Sequence, residues 1–159
     1  MDSREFRDAL GSFPTGVTVV TVNPKDGDPV GMTMNSFNSV SLDPPLVLFS
    51  VANNSEILDA FTNTDSFVIN ILSEDQEAIS GRFATKDNHG WDDVAHKTWD
   101  TGCPVIPGAI AAFECSVEAR HPGGDHTIYV GRVTRMHAEP DAKPLLFWRG
   151  KYSQVAPID

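Results

Sequence analysis

Only two cysteines, Cys103 and Cys115, occur among the 159 residues. That is too few for a disulfide framework, and the absence of any Cys-x-x-Cys argues against a thioredoxin-like site or a zinc ribbon. Basic charge is also scarce. Twelve Lys and Arg stand against 22 Asp and Glu, a formal net charge of −10. Nucleic acid and anionic membrane are themselves negative, so neither fits as the main partner. No apolar run approaches the roughly 18 residues that a membrane helix needs. The opening stretch, MDSREFRDALGSF, has acidic residues and no apolar centre, so it does not read as a secretory signal. Neither G-x-G-x-x-G nor G-x-x-x-x-G-K-[ST] is present, so a nucleotide would have to be held without either loop. No G-x-S-x-G elbow accompanies the Ser, His and Asp residues. What remains is a soluble, cytoplasmic protein. Its length fits a single domain over residues 1–159, and an apolar share of 40% argues against disorder.

The residues that are present alternate mostly as strands. Ser3 reads as the N-cap of a short helix whose Phe6, Ala9, Leu10 and Phe13 share one face. Gly16 to Val22 is a β-branched run and reads as a strand. Asp26-Gly27 supplies the turn to a second strand, about Val30 to Phe37. Ser39 to Asp43 reads as a third strand. Leu46 to Val51 is apolar throughout, as in a strand covered on both faces. Asn54 or Ser55 then caps a helix carrying Ile57, Leu58 and Phe61. Ser66 to Leu72 returns to strand, and Ser73-Glu-Asp-Gln76 has the S-x-x-Q capping-box pattern before a helix with Ala78, Ile79 and Phe83.

Residues 85–108 show no period and read as a long surface loop. Between Ala111 and Ala119, apolar residues alternate with a polar set that includes Glu114, the pattern of a half-wet antiparallel strand. His121 to Asp125 is a turn, Thr127 to Met136 the return strand, and Leu145 to Trp148 a last strand. About seven short, mainly hairpin-linked strands with few helices favour a closed or nearly closed antiparallel barrel.

Two segments concentrate polar groups. Gly31-Met-Thr-Met-Asn-Ser-Phe37 offers hydroxyls and a carboxamide at a strand end, suited to a polar ring edge or a phosphate, or simply to a solvated hairpin face. Ser50 to Ser55 leads into a helix, where free N–H groups either bind an anion or are capped by Asn54 or Ser55. Lys86 can neutralise the preceding helix terminus or reach a phosphate. Trp91, Trp99, Trp148 and Tyr152 can stack on a planar ligand or fill the core. His121, Asp125 and His126 match no standard zinc spacing.

In order and spacing, these segments resemble the short-chain flavin reductase family. The residues that carry the likeness are Phe13-Pro-Thr-Gly-Val-Thr-Val-Val-Thr21, Gly31 to Phe37, and Ser39-Val-Ser-Leu-Asp-Pro-Pro-Leu46. Phe67 to Leu72, Phe83-Ala84, Gly124-Asp-His126, Gly131-Arg-Val133, Pro144 to Phe147 and Gly150-Lys-Tyr152 continue it. The resemblance implies an antiparallel, Greek-key-like FMN-binding split β-barrel, mainly β with a few helices. It implies a homodimer that transfers hydride from NADH or NADPH to FMN or FAD, often supplying a separate flavin-dependent monooxygenase.

By position, Thr33, Met34, Asn35 and Ser36 would contact the flavin ring edge, largely through backbone groups. Ser39 and Ser50, Val51, Ala52 and Asn53 would line the ribityl chain. Ser55 with Lys86 would hold the phosphate, Phe83 would border the flavin, and Tyr152 would stand at the pocket rim. His126 would lie near the nicotinamide, as the one residue in a catalytic position. The alternative is a flavin carrier or storage protein on the same barrel without turnover. An oxidase of the pyridoxamine-phosphate type finds no cluster of arginines to support it.

Overall fold

Strand β2 (Thr18–Val22) is buried at every position, which is why its sequence is β-branched without alternation. The computed structural model describes residues 1–156 and 158. Val20 and Val22 face one core, while Val19 faces a second, so β2 separates two apolar layers. It pairs antiparallel with β3 (Val30–Met34) through the expected hairpin. β3 ends at Met34, short of Phe37, and residues 35–37 cross to β4 (Asn38–Leu42). β5 (Pro45–Ala52), β6 (Ser66–Ile71), β9 (Ala111–Gly123) and β10 (His126–Ala138) complete a seven-stranded sheet of order β3-β2-β6-β9-β10-β5-β4.

The sheet curls into the split barrel. Its interior brings together Val20, Met34, Phe49, Phe67, Cys115 and Tyr129, one from each of six strands. Phe49 stacks on Tyr129 at 5.2 Å and meets Phe67 edge-on at 4.8 Å. A fully buried aromatic ring of this kind contributes about 2–3 kcal/mol by removal from water. β10 can approach only because residue 131 is glycine: a Cβ there would stand 2.2 Å from the Phe67 ring.

The other elements pack outside the barrel. β1 (Thr15–Gly16), β11 (Leu146–Trp148) and β12 (Lys151–Ser153) make a small sheet of order β1-β11-β12. β12 extends the pattern expected from sequence, because Arg149 and Gly150 adopt φ of 49° and 77° and turn the chain in two residues. α1 (Ser3–Leu10) is capped by Asp2, not Ser3, since the Asp2 carboxylate reaches Arg4 N and Glu5 N. α2 (Leu58–Thr62) starts later than expected and has no side-chain cap. The Ser73 N–H does donate to Gln76 Oε1 at 3.1 Å, as the capping box requires, before α3 (Glu77–Ala84).

The segment 85–108 is not simply a surface loop. It includes β7 (Lys97–Thr98) and β8 (Pro104–Val105), and it buries Trp91, Cys103, Val105 and Ile106 against the outer layer. Glu114 is not on a wet face either. It is 1% exposed, and its Oε1 accepts from Thr101 N and Thr101 Oγ1 at 2.9 and 2.7 Å. Among the described residues no helix is long and apolar enough to cross a membrane.

Candidate functional site

β3 ends between two clefts. Met32 and Thr33 line the first, and Asn35 lines the second. The first has a volume of about 550 Å³ and draws Ser55, Lys86 and Phe83 together with Thr33. Four residues singled out from sequence, spread over 54 positions, therefore meet at one place. Phe83 is fully buried and packs on Trp91 at 4.5 Å, so it forms the cleft's apolar floor. Residue 31 must be glycine for this packing, since a Cβ would come within 2.9 Å of Trp91 and 3.1 Å of Phe83. Ser55 does not stand at a helix N-terminus, because α2 begins only at Leu58. Its hydroxyl accepts weakly from Ile57 N at 3.4 Å, leaving its proton free for a ligand. Lys86 lies two residues beyond α3 and is exposed.

The opposite wall was not legible in sequence. It carries Glu56, Asp87 and His89. Glu56 Oε1 accepts from Asp87 N at 2.6 Å and lies 2.7 Å from His89 Nε2. His89 Nδ1 in turn lies 2.9 Å from the Gly31 carbonyl oxygen. The Asp87 N–H, and then His89, hold the Glu56 carboxyl below its usual range against some desolvation. The Asp87 carboxyl is raised in turn, first by its own side-chain hydrogen bond with Glu56 and then by the charge of Glu56. Lys86 is thus the cation of a wall otherwise bordered by carboxylates.

The second cleft, about 1010 Å³, lies between α1, the β11–β12 turn and the barrel rim. His126 and Asn35 reach it from the barrel side. Phe13, Phe147 and Arg149 reach it from the other. His126 opens β10 opposite Ala52 of β5. Its Nδ1 is 2.7 Å from Asp125 Oδ1, and this hydrogen bond, with the accompanying charge, lowers the Asp125 carboxyl. Asn53 fixes the turn beneath it. Asn53 N donates to Asp125 O at 2.9 Å, Asn53 Nδ2 to Gly124 O at 3.3 Å, and Thr127 Oγ1 donates to Asn53 Oδ1 at 2.8 Å.

Several residues expected at the ligand instead have partners within the protein. Met34 and Val51 point into the barrel core. Ser36 Oγ donates to Ser50 O at 3.3 Å and accepts from Ser50 N at 3.0 Å, stitching the end of β3 to β5. Ser39 is exposed on β4, Ala52 is half-buried at the end of β5, and neither lines a cleft. Tyr152 also lines neither; its hydroxyl pairs with Ser80. The Met34 and Val51 side chains and the Ser36 hydroxyl are thus taken up within the protein.

A nucleotide with a planar ring fits this arrangement. The first cleft has an apolar floor, a free hydroxyl proton and one cation, the chemistry of a phosphate with its sugar chain. In the second cleft, the Thr15 hydroxyl is buried without any hydrogen-bond partner, an unmet polar group that a ligand can satisfy. A split barrel with two adjoining clefts of this kind belongs to the flavin-handling class of β-barrel proteins. Residues 10–156 match the family described as flavin reductase like domain, and the chain belongs to that family.

The chain is 51% identical over 155 residues to FMN reductase (NADH) SmoA of Agrobacterium fabrum, covering 98% of this chain and 87% of that protein. It is 38% identical over 157 residues to HsaB of Rhodococcus jostii, the reductase subunit of a flavin-dependent monooxygenase, covering 99% and 80%. Its fold superposes with a TM-score of 0.92 on the Streptomyces globisporus NADH:FAD oxidoreductase SgcE6, solved with NAD and FAD fragments. That match is 39% identical and covers 98% of this chain and 94% of the other.

Proposed function

We propose that this protein is an NADH-dependent flavin reductase that passes hydride to FMN or FAD. The observation that carries this reading is the end of β3, where Thr33 serves one cleft and Asn35 the other. A flavin laid across that strand end would have its phosphate near Lys86 and Ser55 and its ring near Asn35 and His126. The flavin, when bound, supplies the ring that accepts hydride from reduced nicotinamide. The protein's part is to hold two planar rings at a reacting distance of about 3–3.5 Å. Lys86 and Ser55 bind the phosphate, Phe83 supports the ring's neighbourhood from below, and His126, oriented by Asp125, positions the nicotinamide. Solvent can protonate the reduced flavin, so no side chain here is required to donate a proton.

The names of the two curated relatives support NADH as donor and a separate flavin-dependent monooxygenase as consumer of the reduced flavin. A single flavin reductase-like domain accounts for the chain, and a cytoplasmic site of action suits a reductase fed by NADH. A homodimer is supported by apolar surface left on one protomer. Phe6 is 52% exposed, and Leu42 on the edge strand β4 is 95% exposed. The net charge of −10 opposes long-range attraction of anionic flavins, so binding rests on local contacts and the flavin exchanges as a substrate.

Steady-state oxidation of NADH with added FMN or FAD tests the reading. A flavin-dependent rate is expected. Tight flavin binding with no such rate would establish the carrier alternative instead.

A further inference from the structure

Arg149 occupies a backbone conformation that arginine rarely takes. Its φ is 49°, in the left-handed region that glycine adopts freely and a residue with a Cβ adopts at a steric cost. The position is also heavily fixed. Arg149 N donates to Gly11 O at 3.0 Å, which ties the β11–β12 turn to the end of α1. Its guanidinium lies 4.9 Å from the Trp148 ring centre, and Trp148 Nε1 donates to Ser12 O at 3.2 Å. Retained strain at a rigid position lining a cleft points to use of the side chain.

Arg7, on α1, lines the same cleft. Among the described residues, neither Arg7 nor Arg149 forms an ion pair with a carboxylate. Most other arginines are engaged elsewhere: Arg82 with Asp93, Arg132 with Glu118, Arg135 with Asp100, and Arg120 with the Thr64 carbonyl. None of these four lines either cleft. The one carboxylate on the second cleft is Asp8, next to Arg7. Among the side chains lining this cleft, two guanidiniums stand against the one carboxylate of Asp8, while the Asp125 carboxylate is engaged with His126 at the opposite side.

The group that this charge fits follows from what else is in the cleft. His126 and Asn35 stand on one side and the apolar Phe13 and Phe147 on the other. A planar ring near His126, joined through a diphosphate to a second aromatic base, meets each of these in turn. Guanidinium forks pair well with phosphate oxygens, and stacking on Trp148 holds one fork ready.

We propose that Arg149, with Arg7, binds the diphosphate of the nicotinamide dinucleotide, making them the residues that favour NADH over a nicotinamide mononucleotide. This rests on the flavin reductase reading above. Both are positioning residues, since neither stands beside the ring that His126 would face.

The test compares Arg149→Asn, Arg7→Gln and the double variant with the parent protein. Asparagine tolerates the left-handed turn, and glutamine keeps the helix. Two measurements are made: the calorimetric Kd for NAD+ on flavin-free protein, and KM for NADH and for reduced nicotinamide mononucleotide at saturating flavin. The Arg149→Asn change should raise the NAD+ Kd and the NADH KM about tenfold, and the double variant further. The mononucleotide KM should rise less than threefold, and kcat and flavin KM should stay within twofold. The dependence of NADH kcat/KM on salt should flatten in the double variant.

An NAD+ Kd within twofold of the parent in the double variant overturns the proposal. So does a rise confined to NADPH, which would assign the arginines to a 2′-phosphate, or a rise confined to the flavin. If the parent protein shows no flavin-dependent NADH oxidation at all, the flavin reductase reading fails first, and that result precedes any variant.

Discussion

The phenolic oxygen of Tyr152 lies 2.7 Å from the hydroxyl of Ser80, whose side chain is fully buried on α3. The Ser80 carbonyl in turn accepts from Thr33 Oγ1 at 2.7 Å. One residue of α3 thus joins β12 to the strand end that divides the two clefts. Tyr152, placed by sequence at the pocket rim, supports the site through Ser80 instead of lining it. Replacing Tyr152 with Phe leaves a buried hydroxyl without this partner, at a cost of about 1–2 kcal/mol. The expected result is a lower urea midpoint with KM values for flavin and NADH within twofold. Adding Ser80→Ala should recover part of the loss, since the orphaned group is then gone.

Lys86 is the cation of the first cleft, and a change there should be read by the phosphate alone. Lys86→Ala is expected to raise the FMN KM roughly tenfold, the scale of one exposed charge-assisted contact, with kcat little altered. Riboflavin, which has no phosphate, is the control and should bind both proteins equally. An equal loss for riboflavin and FMN would place Lys86 in the fold and not at the phosphate.

His126 is hydrogen-bonded to Asp125 and about half exposed, a position suited to orienting a ligand at an open mouth. His126→Asn should raise the NADH KM several-fold and leave kcat within about threefold. A hundredfold fall in kcat, or a parent pH profile near neutrality that the asparagine removes, would instead mark it as a proton donor.

The sequence showed the barrel more clearly than the surfaces around it. β2 was legible because five adjacent β-branched residues suit a strand covered on both sides. The box at Ser73 and Gln76 was legible because capping is local. By contrast, Glu114 looked wet because strict alternation ignores what packs on the outer face; Thr101, distant in the fold's layering, covers it. The segment 85–108 lacked a period because it makes no long helix or strand, yet Trp91 and Ile106 anchor it in the outer core. Of the residues that family resemblance proposed for the site, Ser55, Phe83 and Lys86 line the first cleft together. That Glu56, His89, Arg7 and Arg149 line the clefts was not legible, since only tertiary folding brings them there. Ser36 shows the converse: a hydroxyl that looks available in sequence is held by the backbone N–H and carbonyl of Ser50 on β5.

Glu114 makes a stability prediction that the sequence alone would have reversed. Two of its hydrogen bonds come from Thr101, one from the backbone and one from the hydroxyl. Thr101→Val keeps the shape and removes the hydroxyl, leaving a buried carboxylate oxygen with one donor fewer. A loss of about 2–3 kcal/mol in chemical denaturation is expected, far above the few tenths typical of a loop threonine. Turnover of the folded enzyme at low temperature should be unchanged, because Glu114 lies away from both clefts.

The two thiols give the protein an alkaline limit. Burial, followed by the charge of Glu114 and then by Cys103, pushes the Cys115 thiol from 9.0 up to about 12. Burial also raises Cys103, though its hydrogen bonds to Thr101 and Ser66 oppose the shift. A thiol raised in the folded state keeps its proton there while the unfolded chain loses it near pH 9. The stabilisation is therefore complete below about pH 9 and is lost as pH rises toward 12, with a slope approaching about 1.4 kcal/mol per pH unit from Cys115. Denaturation at pH 7.5, 9 and 10.5 should show a falling midpoint, and Cys115→Ala should flatten the fall even though its own cavity lowers the midpoint at every pH. Neither thiol should react with iodoacetamide in the folded protein at pH 8, and both should react in urea. Rapid labelling of the native protein, or an alkaline slope that Cys115→Ala leaves intact, would assign the limit to other groups.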